Sequence, residues 1–247
     1  KSAPTKGALS NNETALGLND TFTQADIDAG RISFAPTGDA NGIDGFEFTV
    51  TDSSDNATTK QFKFAINISA VNDAPSFVKG ANQTVLEDAG AQTVANWATN
   101  LSKGVDNENG QSISFVVGND NNTLFDKQPS IDANGQLTYT PADNANGTAT
   151  VTVYIKDNGG TENGGVYKST TQTFTITVTA VNDAPGFTKG ADQVVDEDSD
   201  VVTVTGWASD IDKGTDNESD QTISFTVTNN NNSLFSVQPA IDANGNL

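Results

Sequence analysis

Residue types that build many catalytic and metal sites are missing from this chain of 247 residues, which has no cysteine, no histidine and no methionine. Without cysteine there is no disulfide, and without cysteine and histidine the usual zinc ligands are gone. The missing histidine also excludes a Ser-His-Asp relay. Soft-metal chemistry lacks its thiolate and thioether ligands. The absences therefore exclude several large classes of enzyme.

Positive charge is scarce as well, because 12 Lys and Arg face 32 Asp and Glu and leave a net charge of −20. Such a balance disfavours nucleic acid and anionic membrane surfaces, so we expect no nucleic-acid partner and no direct membrane contact. No apolar run is long enough to span a bilayer. Carboxylates and Asn/Asp-rich loops suit hard cations, Ca²⁺ above all. The alternative is an acidic surface that only keeps a secreted protein soluble, and composition leaves both open.

A pentapeptide that occurs twice is the most informative motif. Val71-Asn72-Asp73-Ala74-Pro75 returns unchanged at 181–185, which is 110 residues later. Other motifs recur at the same spacing: Glu-Asp (87–88 and 197–198), Trp-Ala (97–98 and 207–208), Asp-Asn-Glu (106–108 and 216–218) and Ile-Asp-Ala-Asn-Gly (131–135 and 241–245). The period is about the length of one β-sandwich domain.

The repeat predicts a slice of a tandem array, and we expect the chain to belong to a much longer polypeptide. Its predicted organisation has five parts: a partial repeat over 1–70, a first hinge over 71–75, a complete repeat over 76–180, a second hinge over 181–185 and a partial repeat over 186–247. Each hinge is short and acidic and ends in a proline with a restricted φ, unlike a flexible Gly/Ser linker.

Alternating apolar residues predict an all-β fold without a convincing helix. Strands are predicted at 94–97, 113–117, 137–140, 148–157 and 173–181, with a strand at 62–68 before the first hinge. Connectors rich in Asn, Asp and Gly separate them. Seven or so short strands in one repeat are typical of a Greek-key β-sandwich of the immunoglobulin type, so we predict such sandwiches in tandem.

Several aromatic and Asn-Gly positions are interpreted as structural. Trp97 and Trp207 could stack on sugars, but one tryptophan per repeat is more typical of a residue between the two sheets. Phe115, Phe125, Tyr139 and Phe174 are predicted in the core as well. The two Asp-Ala-Asn-Gly segments, 132–135 and 242–245, predict hairpin turns rather than metal loops.

The hinge, the Glu-Asp pair and the later Asp-X-Asp at 210–212 resemble the calcium-binding signature of cadherins. The chain is more closely similar to the bacterial cadherin-like and immunoglobulin-like repeats of large surface adhesins. Residues 1–70 resemble a cadherin-like repeat of the chondroitin-sulfate-proteoglycan type through 22–27, 32–36 and 44–52. The resemblance implies Ca²⁺ at the hinges and a non-catalytic extender segment on the outside of a bacterial cell. Its partners would be neighbouring repeats of the same chain, with glycans or other cell-surface proteins as further candidates.

The resemblance and the topology together predict ligands at each hinge. Alternate loops of a sandwich lie at the same end, so acids of one repeat, of the hinge and of the next repeat meet in one cluster, whose repulsion a divalent cation would relieve. The predicted ligands of the second hinge are Glu87, Asp88, Asp143, Asn182, Asp183, Asp210 and Asp212, with Asp216 as an outside candidate. Those of the first hinge are Asn72, Asp73, Asp106 and Asp157, with Asp39 or Asp44 from the preceding repeat.

A substitution in the repeat predicts unequal sites. Asn100 and Ser102 stand where the following copy has Asp210 and Asp212, so we expect the first hinge to bind calcium more weakly. For each predicted ligand, a solvated turn without metal remains the alternative.

Two other functions stay open at this point. The exposed loops at 118–122 and 158–165 could bind a glycan. Alternatively, the segment could be the stalk of a secreted enzyme. A shallow groove lined with aromatic residues would favour glycan binding, and metal at the hinges would favour the extender. We expect no active site in the segment, because nothing singles out a catalytic carboxylate pair among its 32 acids.

Overall fold

The all-β prediction is confirmed by a computed structural model that describes residues 2–51 and 59–247. The described chain contains one short α-helix and sixteen strands. They are β1 (Gly7–Asn11), β2 (Thr14–Ala15), α1 (Gln24–Asp28), β3 (Ile32–Pro36), β4 (Gly42–Thr51), β5 (Thr59–Ile68), β6 (Ser76–Val78), β7 (Gln83–Leu86), β8 (Gln92–Val94), β9 (Thr99–Ser102), β10 (Ile113–Asn119), β11 (Phe125–Ile131), β12 (Leu137–Pro141), β13 (Gly147–Asp157), β14 (Gln172–Thr179), β15 (Gly186–Lys189) and β16 (Ala208–Asp212).

The chain folds into two compact units. The first is formed by residues 1–78, 100–114 and 155–170, and the second by residues 79–99, 115–154 and 171–247. The first contains a three-stranded sheet in the order β2-β1-β3 and the antiparallel pair of β4 and β5. In the second, β13 pairs antiparallel with β14, and β14 pairs parallel with β7. The predicted boundaries of the repeats remain a prediction.

The buried faces of β13 and β14 follow the alternation seen in the sequence. Val151 and Val153 are completely buried, while the neighbouring Thr150 and Thr152 are exposed. On β14 the buried positions are Phe174, Ile176 and Val178. Because a strand turns successive side chains to opposite faces, this pattern gives one core face and one solvent face.

Aromatic residues close the core of the second unit. Trp97 is 3% exposed, its ring lies 4.3 Å from that of Phe174, and Tyr139 meets Phe125 edge-on at 6.0 Å. The predicted core positions of Trp97, Phe125, Tyr139 and Phe174 are thus confirmed, whereas Phe115 and Trp207 are only half-buried.

The predicted strand over 94–97 is wrong. β8 ends at Val94, and Asn96 has a φ of +54°, which an extended strand does not contain. The turn brings Trp97 inward so that its Nε1 donates a hydrogen bond to the carbonyl of Ala81 at 2.9 Å. The half-buried Trp207 makes the same bond with Ala191 at 2.9 Å.

The absence of a helix was also predicted wrongly, because α1 forms a single capped turn. The Oγ1 of Thr23 accepts from the Asp26 N–H, and the Asp26 carboxylate accepts from the Thr23 N–H, which is a capping box. The hydrogen bonds from Thr23, backbone first, lower the pKa of Asp26. The sequence analysis used 22–27 only for the resemblance to a cadherin-like repeat and overlooked this Thr-x-x-Asp signal.

The predicted hairpin at 132–135 is confirmed. β11 pairs antiparallel with β12 up to Ile131 opposite Leu137. Asp132 closes the turn, since its Oδ1 accepts the N–H groups of Asn134 and Gln136, each at 2.9 Å. The carboxylate is therefore occupied by the backbone, as a structural turn requires.

Candidate metal sites at the two hinges

Asn72 anchors the first hinge to two loops of the first unit. Its Nδ2 donates to Oδ1 of Asp157 at 3.1 Å and to the carbonyl of Val166 at 2.7 Å. Its Oδ1 accepts from Nε2 of Gln111 at 2.7 Å. The side chain is buried, and a Cβ at Gly159 would collide with it. The amide therefore organises the site, with Asp157 at the end of β13 beside it.

Glu108, which was not among the predicted ligands, holds the next hinge residue. It lies in a 3-10 turn over 106–108 and is 5% exposed. Its Oε1 accepts the backbone N–H of Asp73 at 2.7 Å, while its Oε2 is buried without a hydrogen-bond partner. Gly104, with a φ of +126°, lies against that oxygen, and a Cβ there would collide with it.

The second hinge repeats this arrangement inside the second unit. Oε1 of Glu218 accepts the Asp183 N–H at 2.9 Å, and its Oε2 is again buried without a partner. Gln221 donates to Oδ1 of Asn182 at 3.0 Å, as Gln111 does to Asn72. A Cβ at Gly214 would collide with the Glu218 carboxylate.

Carboxylates from several loops converge near the second hinge. Glu87 and Asp88 follow β7, Asp143 lies between β12 and β13, and Asp183 belongs to the hinge. Partial desolvation and then the negative charges of Asp183, Glu87 and Asp143 raise the pKa of Asp88. The structure thus places Asp183, Glu87 and Asp143 near enough to Asp88 for their charges to raise its pKa.

Glu87 differs from the other acids at this hinge because both of its carboxylate oxygens accept hydrogen bonds from the protein. It is 1% exposed. Its Oε1 accepts the Val181 N–H at 2.7 Å, and Nδ2 of Asn217 lies 3.2 Å from Oε1 and 3.0 Å from Oε2. No oxygen of Glu87 is left without a donor.

Family models match two ranges of the chain. Residues 1–68 match the model of cadherin-like domains, and residues 72–179 match the model of the bacterial Ig domain. These two ranges are therefore a cadherin-like repeat and a bacterial immunoglobulin-like repeat. No curated protein matches it.

Both kinds of repeat are typical of extracellular or surface proteins and are typically non-catalytic structural modules. Among the residues that the structure describes, no helix has the length and hydropathy needed to cross a membrane.

Two predicted ligands of the cadherin-like repeat have different surroundings. Asp39 lines a cavity of about 290 Å³ together with Asp73 and Asn107. Asp44 instead accepts the N–H of Thr5 at 3.0 Å and that of Lys6 at 2.7 Å. The structure therefore brings Asp39, but not the bonded carboxylate of Asp44, to a cavity shared with the hinge.

The remaining predicted ligands lie on the surface of the immunoglobulin-like repeats. Asp106 is exposed at the start of its 3-10 turn, and Asp210 and Asp212 are exposed on β16. Asp212 accepts the N–H of Gly214 at 3.2 Å. The side chain of Asp216 lies outside the described part of the structure. Over residues 2–51 and 59–247, the side chain of Asp216 excepted, no group of three or more acidic side chains has the spacing of a metal site.

Glu108 and Glu218 are the site residues that the sequence interpretation missed. Both close the Asp-Asn-Glu triplet that recurs after 110 residues, so the recurrence itself was the available signal. Glutamate in a polar loop is expected to be exposed, because burial of an acid is rare. The burial of Glu108 and Glu218 next to the hinges arises only when the chain is folded.

Proposed function

We propose that the chain is a non-catalytic extender segment of a secreted or cell-surface bacterial adhesin, stiffened by Ca²⁺ at the hinges between its repeats. When the ion is bound, it ties the adjoining loops together and stiffens each hinge. The segment thereby holds more distal binding modules away from the cell. Its modular composition supports this function, since both repeat types are typical of extracellular structural modules.

One observation carries the calcium proposal. Glu108 and Glu218 each use one carboxylate oxygen to bind a hinge N–H and leave the other buried without a partner. Oδ2 of Asp157 is buried and unpartnered in the same way. Burying an unpaired carboxylate oxygen costs free energy, so such an oxygen is expected to bind a cation or a water molecule. Their recurrence at both hinges favours a bound ion over an isolated packing defect.

The donor set fits calcium by its chemistry. Asp73, Glu108 and Asp157 supply carboxylates in the first hinge and its adjoining loops, and Asp88, Asp143, Asp183 and Glu218 supply them in the second hinge and its adjoining loops. Amide and backbone carbonyl oxygens lie in the same loops. Ca²⁺ takes six to eight oxygen ligands in flexible geometry, whereas Mg²⁺ demands a stricter octahedron. The bound ion would neutralise the mutual repulsion of these acids.

Glycan binding receives less support. Neither cavity near the first hinge, of about 290 and 150 Å³, is lined by an aromatic side chain. Of the two tryptophans considered for stacking on sugars, Trp97 is buried and Trp207 is half-buried. The other alternative, the stalk of a secreted enzyme, would use the same repeats in the same mechanical role, as a stiff spacer.

Isothermal titration with Ca²⁺ after removal of bound metal tests the proposal. We expect binding in the range of about 10⁻⁴–10⁻³ M that is typical of extracellular modules. Glu218→Gln should remove or weaken one class of site. Glu197→Gln is the matched control, since it makes the same charge change at an exposed position. No calcium binding to the unmodified chain, or equal loss from both variants, would contradict the assignment.

A further inference from the structure

Glu87 is the acid at the second hinge whose two carboxylate oxygens both accept hydrogen bonds from the protein, without any metal. Both of its oxygens have protein donors, whereas Glu218, at the same hinge, keeps one buried oxygen unpartnered. Glu87 is also the most deeply buried carboxylate of the described chain, at 1% exposure. Buried charged groups are normally retained only when they are paired or fully hydrogen-bonded. Its environment therefore explains its burial without a cation.

The backbone fixes Glu87 against the start of the hinge. β7 runs parallel to β14, with Leu86 opposite Thr179. The ladder continues one step, because the N–H of Glu87 donates to the Thr179 carbonyl at 3.0 Å. From this position the side chain reaches Val181, the first residue of the second hinge.

The second donor comes from the following immunoglobulin-like repeat. Asn217 is the middle residue of the Asp-Asn-Glu triplet at 216–218, and its amide covers both oxygens of Glu87. The next residue, Glu218, binds the Asp183 N–H. The hinge thus lies between two glutamates, one from the repeat before it and one from the repeat after it.

We propose that Glu87 is a metal-independent latch between successive immunoglobulin-like repeats, closed by the Val181 N–H and the Asn217 side chain. This role differs from the calcium ligation predicted for Glu87 from the sequence. The latch keeps the start of the hinge and the Asp-Asn-Glu turn together when no ion is bound. It stands independently of the calcium proposal.

The first hinge provides an internal comparison. Asn107 is the counterpart of Asn217, but the repeat before this hinge is cadherin-like and Asn107 lines the 290 Å³ cavity instead. Val71, the counterpart of Val181, is 43% exposed, and its N–H makes no hydrogen bond within the described residues. Within the described residues, the latch contacts are therefore present at the second hinge and not at the first.

Amide hydrogen exchange of the whole chain, followed by NMR in excess chelator, tests the latch. We expect the Val181 N–H to exchange at least about tenfold more slowly than the Val71 N–H, since a hydrogen bond to a charged acceptor contributes that much protection. Glu87→Gln should reduce the protection of Val181 several-fold, because a neutral amide is the weaker acceptor. Glu197→Gln at the exposed counterpart should leave it unchanged.

A second pair of variants tests the other half of the latch. Asn217→Ala should also reduce protection of Val181, whereas Asn107→Ala should not. Loss of Val181 protection in the unmodified chain upon chelation would overturn the latch and return Glu87 to the metal ligands. Unchanged protection in both Glu87→Gln and Asn217→Ala would overturn it as well. A failure of calcium binding leaves these outcomes intact, so the two proposals fail separately.

Discussion

The backbone N–H of Asp183 donates a hydrogen bond of 2.9 Å to Oε1 of Glu218, a residue 35 positions further along the chain. Asp73 and Glu108 make the same bond at 2.7 Å over the same sequence separation. Each hinge is therefore attached by its backbone to the repeat that follows it. A hinge bound in this way is not a free linker, even before a cation is considered.

Calcium is expected to raise the melting temperature without being required for folding. At one hundred times Kd, each independent ion adds roughly 2.7 kcal/mol to the free energy of unfolding. The core around Trp97, Phe174 and Tyr139 contains no candidate ligand, so the sandwich should persist in chelator. Thermal melting by circular dichroism with and without Ca²⁺ measures both effects. Loss of the β signal on chelation at room temperature would place essential ions inside the repeats.

Gly214→Ala is expected to weaken calcium binding at the second hinge. The new Cβ would displace the Glu218 carboxylate, and the φ of +126° is one that alanine rarely adopts. Gly186→Ala is the control, because a Cβ there meets nothing within 4 Å and its φ is not positive. Titration calorimetry compares the two variants. Equal affinities would show that the carboxylate position does not govern binding.

Tyr139→Phe is expected to leave stability unchanged or to raise it by up to about 1 kcal/mol. The Tyr139 hydroxyl is buried without a hydrogen-bond partner, and burial raises the pKa of Tyr139. Phenylalanine keeps the edge-on contact with Phe125 and removes the unpaired group. Urea unfolding of the two proteins gives the difference. A destabilisation above about 1 kcal/mol would mean that the hydroxyl has a bonded water in solution.

Asp44 is expected to titrate below the ordinary aspartate value of 3.8. Partial desolvation opposes ionisation, but hydrogen bonds from the backbone of Lys6, Thr5 and Gly45 outweigh it and lower the pKa of Asp44. Because the folded pKa is depressed, its contribution to stability is present above pH 3.8 and is lost as the pH falls through the folded pKa. Carboxyl chemical shifts against pH measure it, and a midpoint at or above 3.8 would contradict these contacts. Asp44→Asn should remove this step from the acid unfolding of the cadherin-like repeat.

Much of the fold could be predicted from local pattern. Alternation predicted β13 and β14, and the Asp-Ala-Asn-Gly segment predicted the hairpin after Ile131, because strand faces and turn types depend on residues close in sequence. The pattern failed where a short-range signal competed with it. Asn96 introduces a turn before Trp97, and the Thr23 capping box starts a helix.

The candidate sites were predicted only in outline. Topology brought Asp88, Asp143 and Asp183 together, and the recurring pentapeptide located both hinges. The burial of Glu108 and Glu218 could not be read from the sequence, since a glutamate in a loop rich in Asn and Asp is normally solvated. The same holds for the bonded carboxylate of Asp44, whose donors lie 38 and 39 positions away.

The sequence by itself determined the repeat, the all-β character, the acidic hinges and the chemistry of their possible ligands. These features depend on composition and on the order of residues close together in the sequence, and both are set before the chain folds. Only the tertiary structure decided which carboxylates are satisfied and which are left with a free oxygen. Glu87 receives the Val181 N–H and the Asn217 amide, while Glu218 leaves one oxygen open. The physical reason is that hydrogen-bond partners more than 90 positions apart meet only when the loops of the folded repeats come together.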